Sequence, residues 1–87
     1  MPHYFFPVYQ AGRKVDDTEG TACHDLSAAK EYAVESAREL ANQAIGSGTP
    51  PSTLCVEILD SAGRTLAALT IAEVMEHPAA PSFKPSC

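Results

Sequence analysis

The fold is decided by residues 25–46, which read DLSAAKEYAVESARELANQAIG. Small and apolar side chains recur in this stretch at spacings of three and four residues, which is the period of one helix face. The members of this stripe are Leu26, Ala29, Ala33, Ala37, Leu40 and Ala44. Asp25 is a favoured N-cap residue, and Gly46 has the position of a C-cap glycine. The pattern predicts a helix over residues 26–45, about 30 Å long at about 1.5 Å per residue.

The residues before the helix predict a first β-hairpin. Residues 3–9, HYFFPVY, are rich in the aromatic and β-branched side chains that favour strands. A turn at Ala11-Gly12 and a short strand over residues 13–17 complete the hairpin. Because Pro7 cannot donate a ladder hydrogen bond, its part of the first strand requires an edge, a bulge or an unpaired side.

Alternation divides the side chains of the first strand between two faces of the sheet. Tyr4, Phe6 and Val8 share one face, which we expect the helix to cover. Phe5 and Tyr9 point to the other face, where exposed rings often mark an interface. We therefore predict that Phe5 and Tyr9 belong to a contact surface.

The residues after the helix predict a second hairpin. Residues 46–52 form a loop rich in Gly, Ser and Pro. Residues 53–60 alternate in polarity and predict a third strand, and residues 64–71 predict a fourth. Leu66 is out of phase with the apolar residues that follow it, which a β-bulge would explain.

Together these segments predict an α+β domain of order β-β-α-β-β, in which an antiparallel sheet carries one long helix on one face. We assign residues 1–76 to this domain, with a helical turn at 72–76. Residues 77–87 are rich in proline and predict a disordered tail. The second face and the two edges of such a sheet need cover. We therefore predict a homodimer, built through the face of Phe5 and Tyr9 or through an edge strand.

The charge balance disfavours two classes of partner. Eleven Asp and Glu residues stand against six Lys and Arg residues, for a net charge of −5. Nucleic acids and anionic membranes attract basic surfaces, and the largest basic cluster here is the pair Arg13-Lys14. No apolar run approaches the roughly 20 residues of a membrane-spanning helix. The N-terminal residues also lack the pattern of a signal peptide, so we expect a cytoplasmic protein.

Three cysteines occur in the chain, at Cys23, Cys55 and Cys87. Three is a small and odd number of cysteines, which does not suit a disulfide framework. We therefore expect a reducing compartment. Cys55 lies in an apolar run, where we expect it to pack as a small hydrophobic residue. Cys87 is expected to be exposed and able to form an intermolecular disulfide in air.

Cys23 and His24 are an adjacent pair with two chemical interpretations. They could contribute to a zinc site, but such sites draw on four ligands, and the other His and Cys residues lack the motif spacing. They could also form a nucleophile–base pair, which has to approach through space beside an orienting third group. We interpret the pair as part of a loop.

Asp16, Asp17 and Glu19 place three carboxylates within four residues. Clustered oxygen ligands suit a divalent cation, but their spacing does not match an EF-hand loop. The alternative is turn chemistry at the end of the hairpin, where Asp and Gly are common. We favour the turn, and we expect no metal and no cofactor.

Several short motifs occur in the same order in a family of bacterial proteins. They are the opening MPHYFF at 1–6, the loop DTEG at 17–20, the helix start DL at 25–26, and the hairpin VEI…D…GR at 56–64. The chain resembles this family, whose short members are known only as a domain of unknown function, over about residues 1–75. The resemblance supports the fold and implies no catalytic or binding residues.

Three functions from different classes remain open. The first is a small non-catalytic interaction or regulatory module that acts as a homodimer and could also bind an unidentified protein partner. The second is a nucleic-acid-binding regulator, because the element order resembles a lobe of small antitoxin-type proteins. The third is a small enzyme, with a pocket lined by Cys23, His24 and a carboxylate. Because the sequence contains no phosphate loop and no metal-ligand spacing, we predict the first and expect no enzyme.

Overall fold

The computed structural model describes residues 2–10, 12–48, 50 and 53–87. The turn residue Ala11 and the loop positions Thr49, Pro51 and Ser52 lie outside the described residues. In chain order the elements are β1 (His3–Tyr4), β2 (Val8–Gln10), β3 (Arg13–Val15), β4 (Thr21–Ala22), α1 (Leu26–Ser47), β5 (Leu54–Leu59), β6 (Thr65–Thr70) and α2 (Ile71–Glu76).

The described strands form two antiparallel sheets. A four-stranded sheet has the order β3-β2-β5-β6, and β1 pairs with β4 in a two-stranded sheet. The long helix α1 packs on one face of the larger sheet together with α2. The α+β class, with an antiparallel sheet and one long helix, is therefore confirmed.

The predicted first strand is divided at Pro7 into β1 and β2. Phe5 and Leu59 exchange two backbone hydrogen bonds, of 2.9 and 2.8 Å, and the carbonyl of Pro7 accepts one from the N–H of Glu57 at 3.0 Å. Residues 5–7 thus run beside β5 in an inner position of the sheet. Because Pro7 has no N–H to return, the ladder is interrupted there. β4, which pairs with β1, has no counterpart in the predicted element order.

The ends of α1 differ in how well their caps were predicted. The Asp25 carboxylate accepts a hydrogen bond from the N–H of Ala28 at 2.8 Å, which confirms the N-cap. The prediction for the C-cap was wrong, because the helix continues through Gly46 to Ser47. Gly48 ends the helix instead, with a φ of 76° and its N–H donated to the carbonyl of Ala44. Two glycines lie near this end, and the second takes the left-handed conformation that terminates a helix.

The core lies between the alanine face of α1 and the apolar side chains of β5 and β6. Ala29, Ala33 and Ala37 are completely buried, as are Val56 and Ile58 of β5. Small side chains on the helix allow it to approach the sheet closely, and the branched residues of the strands fill the remaining space. Dense packing of this kind makes the sheet a rigid support for the residues at its edges.

The predicted bulge is confirmed in the second hairpin. The register between β5 and β6 shifts after the pair Ile58 and Ala67, because Leu59 pairs with Thr65. Leu66 is therefore the extra residue of β6. A bulged residue leaves the alternation of its strand, which explains the phase error in the sequence.

Residues 77–87, which we call the strap, return to the sheet, in contrast to the predicted disordered tail. The Arg38 side chain donates a hydrogen bond to the carbonyl of Pro78 at 2.7 Å, and Lys84 exchanges two with Ala68 of β6, of 2.7 and 2.8 Å. Phe83 packs against the core. The proline-rich sequence of the strap shows no periodic pattern of apolar residues from which its docking could be predicted. A few separate contacts hold the strap in place instead.

Candidate functional site

The outer side of β3 is the most open part of the larger sheet. We call residues 13–16 the β3 edge. Within the described chain, β3 pairs only with β2, whereas the opposite edge strand β6 also pairs with the strap at Lys84. Residues 13–16 are exposed, and Val15 retains 57% of its accessible surface. The β3 edge therefore has the geometry that can accept another strand.

The hairpin geometry determines which backbone groups of the β3 edge point outward. Gln10 pairs with Arg13 across a connection of two residues, so this is the hydrogen-bonded pair that closes the turn. Hydrogen-bonded and non-hydrogen-bonded pairs alternate along an antiparallel ladder. Tyr9 and Lys14 are therefore a non-hydrogen-bonded pair. The backbone N–H and C=O of Lys14 consequently point away from β2, toward the open side.

Opposite charges alternate with an apolar side chain along the β3 edge. The Lys14 Nζ atom is 3.7 Å from the Asp16 Oδ1 atom, and it lies 5.8 Å from the centre of the Tyr9 ring. Val15 pairs with Val8, which packs against the core, so Val15 lies on the helix side of the sheet. The β3 edge thus presents a positive and a negative group on one face and an exposed valine on the other.

The two predicted interface rings lie one strand further in. Phe5 pairs with Leu59, and Tyr9 pairs with Cys55, so both rings lie on the face of β5 that points away from α1. Both side chains are half-buried. The Phe5 ring lies against Gly20, where a Cβ atom would be 2.8 Å from its Cε2 atom. Their predicted contact with a partner stays a prediction.

The strap covers part of this same face through a disulfide between Cys55 and Cys87, with Cα atoms 6.0 Å apart. The N–H of Cys87 donates a hydrogen bond of 3.4 Å to the Glu57 carboxylate. Cys55 and Glu57 retain only 8% and 6% of their accessible surface. Cys55 is buried and Cys87 is exposed, as expected, but the sequence did not predict the disulfide that joins them within one chain. The two cysteines are 32 residues apart, and no motif in the sequence signals their pairing.

Cys23 and His24 do not form an activated pair. Cys23 is a free, buried cysteine whose N–H donates a hydrogen bond of 3.0 Å to the carbonyl of Pro2. Burial raises the pKa of the Cys23 thiol, whereas a nucleophilic cysteine requires a lowered pKa. His24 is exposed. The arrangement favours a packed thiol over a reactive one.

The acidic cluster after β3 contains one carboxylate with a clear structural role. Asp17 accepts hydrogen bonds from the N–H groups of Phe6 and Gly20, both at 3.1 Å. It thereby joins the interrupted segment between β1 and β2 to the loop that leads into β4. Asp16 pairs instead with Lys14, and Glu19 is exposed. The contacts of Asp17 are those of a turn, as the sequence favoured.

A protein-family model, Domain of unknown function (DUF6894), matches residues 3–72. The chain belongs to this family. The resemblance to a domain of unknown function that the sequence shows is therefore confirmed. The description of the family names no activity. No curated protein and no solved structure matches the chain.

The part of this DUF6894 domain that the family model matches contains both hairpins and α1, and it includes the β3 edge. The match ends at residue 72, so the strap lies beyond it. Cys55 is consequently inside the matched range and Cys87 outside it. Among the described residues, no helix has the length and apolar character needed to cross a membrane.

Two other surfaces of this DUF6894 domain have some chemical potential. The possible metal ligands of Glu73, Glu76 and His77 lie within 4.8 Å of one another, although Glu73 already accepts a hydrogen bond from the N–H of Ser82. A shallow groove between α1 and α2 has the exposed side chain of Ile45 in its lining. Neither surface has a second feature that identifies a ligand.

Proposed function

We propose that this domain is a non-catalytic interaction module that acts as a homodimer, in which two copies join along the β3 edge. The observation that carries the proposal is that β3, among the described residues, pairs only with β2 and leaves its outer edge exposed, whereas the strap already pairs with the opposite edge strand β6 at Ala68. Unpaired N–H and C=O groups on a strand edge can pair with a second strand. The burial of Cys23, which raises the pKa of its thiol, argues against this cysteine as a nucleophile.

The charges of the β3 edge favour one register for the two copies. Outward-facing backbone groups recur at alternate residues, here Lys14 and, if the strand continues, Asp16. Antiparallel pairing can then place Lys14 opposite Lys14, or Asp16 opposite Asp16, and like charges directly opposite are destabilising. The remaining register places Lys14 of each copy opposite Asp16 of the other. It is the register with two attractive pairs.

The same register also accounts for the exposure of Val15. A two-fold axis would pass between Val15 and its equivalent, which would face each other as a non-hydrogen-bonded pair. Such pairs have the closer Cα separation, about 4.5 Å, and β-branched residues pack well there. The contact is isologous, so it closes at two copies. Because the strand is short, we expect a weak dimer whose population depends on concentration.

Light scattering coupled to size exclusion over a concentration series tests the proposal. We expect a mass that approaches twice the 9.2 kDa of one chain as the concentration rises. Lys14→Glu and Asp16→Lys should each weaken the dimer, because each places like charges opposite one another. The double variant Lys14→Glu/Asp16→Lys restores two attractive pairs, so it should recover the dimer.

Glu39→Lys on the exposed side of α1 changes the net charge in the same direction and by the same amount as Asp16→Lys, so it is the matched control for that variant, and it should leave the dimer intact. Thermal unfolding of each variant separates a loss of dimer from a loss of fold. A single-chain mass at all concentrations contradicts the proposal, as does equal dimerisation of all variants. Nucleic-acid binding at low salt that is lost in Lys14→Glu would instead favour the antitoxin-type regulator.

A further inference from the structure

We propose that the Cys55–Cys87 disulfide is a thiol-exchange site, at which a dithiol reductant releases residues 85–87 from the sheet and uncovers Glu57. The strap passes around the edge of β6 between its contacts with α1 and its end on the opposite face of the sheet. Phe83 lies beside Lys30 on the helix side, with the Lys30 Nζ atom 5.3 Å from the ring centre. Cys87 is joined to β5 on the other face.

The contacts of the strap are distributed unevenly on the two sides of Lys84. Up to Lys84, it is held by Arg38, by Glu73, by the core around Phe83 and by the two hydrogen bonds to Ala68. For residues 85–87, the described contacts are the disulfide and the hydrogen bond of 3.4 Å from the Cys87 N–H to Glu57. A hydrogen bond of this length is weak. Cleavage of the S–S bond therefore frees residues 85–87 and leaves the rest of the strap docked.

The two cysteines differ in exposure, and we infer from this difference the direction of the exchange. Cys87 is exposed, whereas Cys55 retains 8% of its accessible surface. A thiolate of the reductant attacks the Cys87 sulfur, forms a mixed disulfide there, and displaces the Cys55 thiolate, which takes up a proton. The second thiol of the reductant then displaces Cys87 as a thiol. Two electrons pass to the protein, which ends with two thiols, and the reductant ends as a disulfide.

Release changes the chemistry of the exposed sheet face. Glu57 retains 6% of its accessible surface while its carboxylate accepts the hydrogen bond from Cys87. Burial of a carboxylate is costly unless it is well paired, so removal of residues 85–87 allows Glu57 to be hydrated. The reduced domain consequently presents a carboxylate and the Cys55 thiol on a face that the oxidised domain covers.

Thiol alkylation and hydrogen exchange on the intact, folded chain test this inference. In the oxidised protein, iodoacetamide should leave Cys55 and Cys87 unmodified, and dithiothreitol should expose both to alkylation without loss of the fold. With glutathione, the mixed disulfide should be found first on Cys87. Reduction should speed amide exchange at Cys87 by on the order of tenfold through local release, while exchange at Ala68 should speed up only as far as the fall in the global free energy of unfolding requires.

Cys87→Ser reproduces the reduced state, so its exchange pattern should match that of the reduced wild type. Cys23→Ala is the matched control, because it removes the free cysteine and should keep the full response to reductant. Alkylation of Cys55 and Cys87 without reductant overturns the inference, and so does a first glutathione adduct on Cys55. Acceleration at Ala68 beyond the fall in the global free energy of unfolding measured in urea also overturns it, because the whole strap would then have been released. If Cys87→Ser does not fold, the titration of the wild type still decides the question.

Discussion

The two edges of the four-stranded sheet are protected in different ways. The edge of β6 is covered by the chain itself, since Lys84 exchanges two hydrogen bonds with Ala68 and a disulfide fastens the strap just beyond it. The edge of β3 has no further strand neighbour within the described residues, and it has the exposed charges of Lys14 and Asp16. A covered edge does not accept a second chain, whereas a charged edge favours a chain that places opposite charges against it.

This difference limits the assemblies that the domain can form. If both edges were open, the β3 edge of one copy could pair with β6 of the next, and such head-to-tail contacts grow into open filaments. Because the strap occupies the β6 edge at Ala68, the proposed contact joins the β3 edge of one copy to the β3 edge of a second copy. The comparison therefore explains why we propose a dimer rather than a polymer, and it can be tested at each edge.

The largest expected effect is on stability, at the covered edge. The disulfide joins residues 32 apart in the sequence, and closure of a loop of that length is worth about 3.7 kcal/mol of unfolding free energy. Cys87→Ser should lower the free energy of unfolding in urea by about this amount, and reductant should lower that of the wild type similarly. Equal stability of the oxidised wild type and Cys87→Ser would contradict this account of the strap.

A smaller loss of stability is expected when the β6 edge is uncovered. Lys84→Pro removes the N–H that donates to the carbonyl of Ala68, which should cost about 1 kcal/mol. The opened edge should also allow species larger than the dimer, which sedimentation velocity can detect. Lys84→Thr keeps the N–H and serves as the control. If Lys84→Pro forms no larger species, the strap does not limit assembly.

At the open edge, a change should affect association and leave stability nearly intact. Val15→Arg places two positive charges opposite each other at the proposed two-fold axis. The dissociation constant of the dimer should rise by about tenfold or more, which corresponds to about 1.4 kcal/mol. Because Val15 is exposed, the free energy of unfolding of a single chain should change by no more than about 0.5 kcal/mol. An unchanged dissociation constant would place the contact elsewhere.

The smallest expected effect concerns the turn that joins β5 to β6. Asp60 accepts hydrogen bonds from the backbone N–H groups of Arg64 and Ala62, and these, led by Arg64, lower the pKa of its carboxyl. A pKa lowered in the folded state stabilises the fold above the unfolded pKa, and this contribution is lost as the pH falls through the folded pKa. Asp60→Asn should therefore lose a small part of the acid dependence of unfolding. Identical pH profiles for the two proteins would contradict this role.

Much of the fold follows from local sequence patterns. The alanine stripe and Asp25 determine α1 and its start, and the phase error at Leu66 reveals the bulge. These features depend on residues close together in the chain, whose spacing records the period of the element. The position of the C-cap at Gly48, rather than Gly46, depends on packing that the spacing does not record.

The features missed by sequence analysis depend on distant contacts. The strand Thr21–Ala22 is too short to show alternation, and its existence depends on β1. The candidate site also depends on distant contacts, because in the sequence Arg13-Lys14 is only a basic pair. Its importance comes from the strand order, which leaves β3 outermost. The pairing of Cys55 with Cys87 likewise has no local signal.

The most direct test of the β3-edge dimer is a site-directed cross-link. Val15→Cys places a thiol at the proposed two-fold axis, opposite its equivalent at a Cα separation of about 4.5 Å, which suits a disulfide. Mild oxidation should give a covalent dimer in Val15→Cys, while Arg13→Cys, whose equivalent lies several residues away in this register, should remain a single chain. No covalent dimer in Val15→Cys, or equal cross-linking of the two variants, would contradict the account.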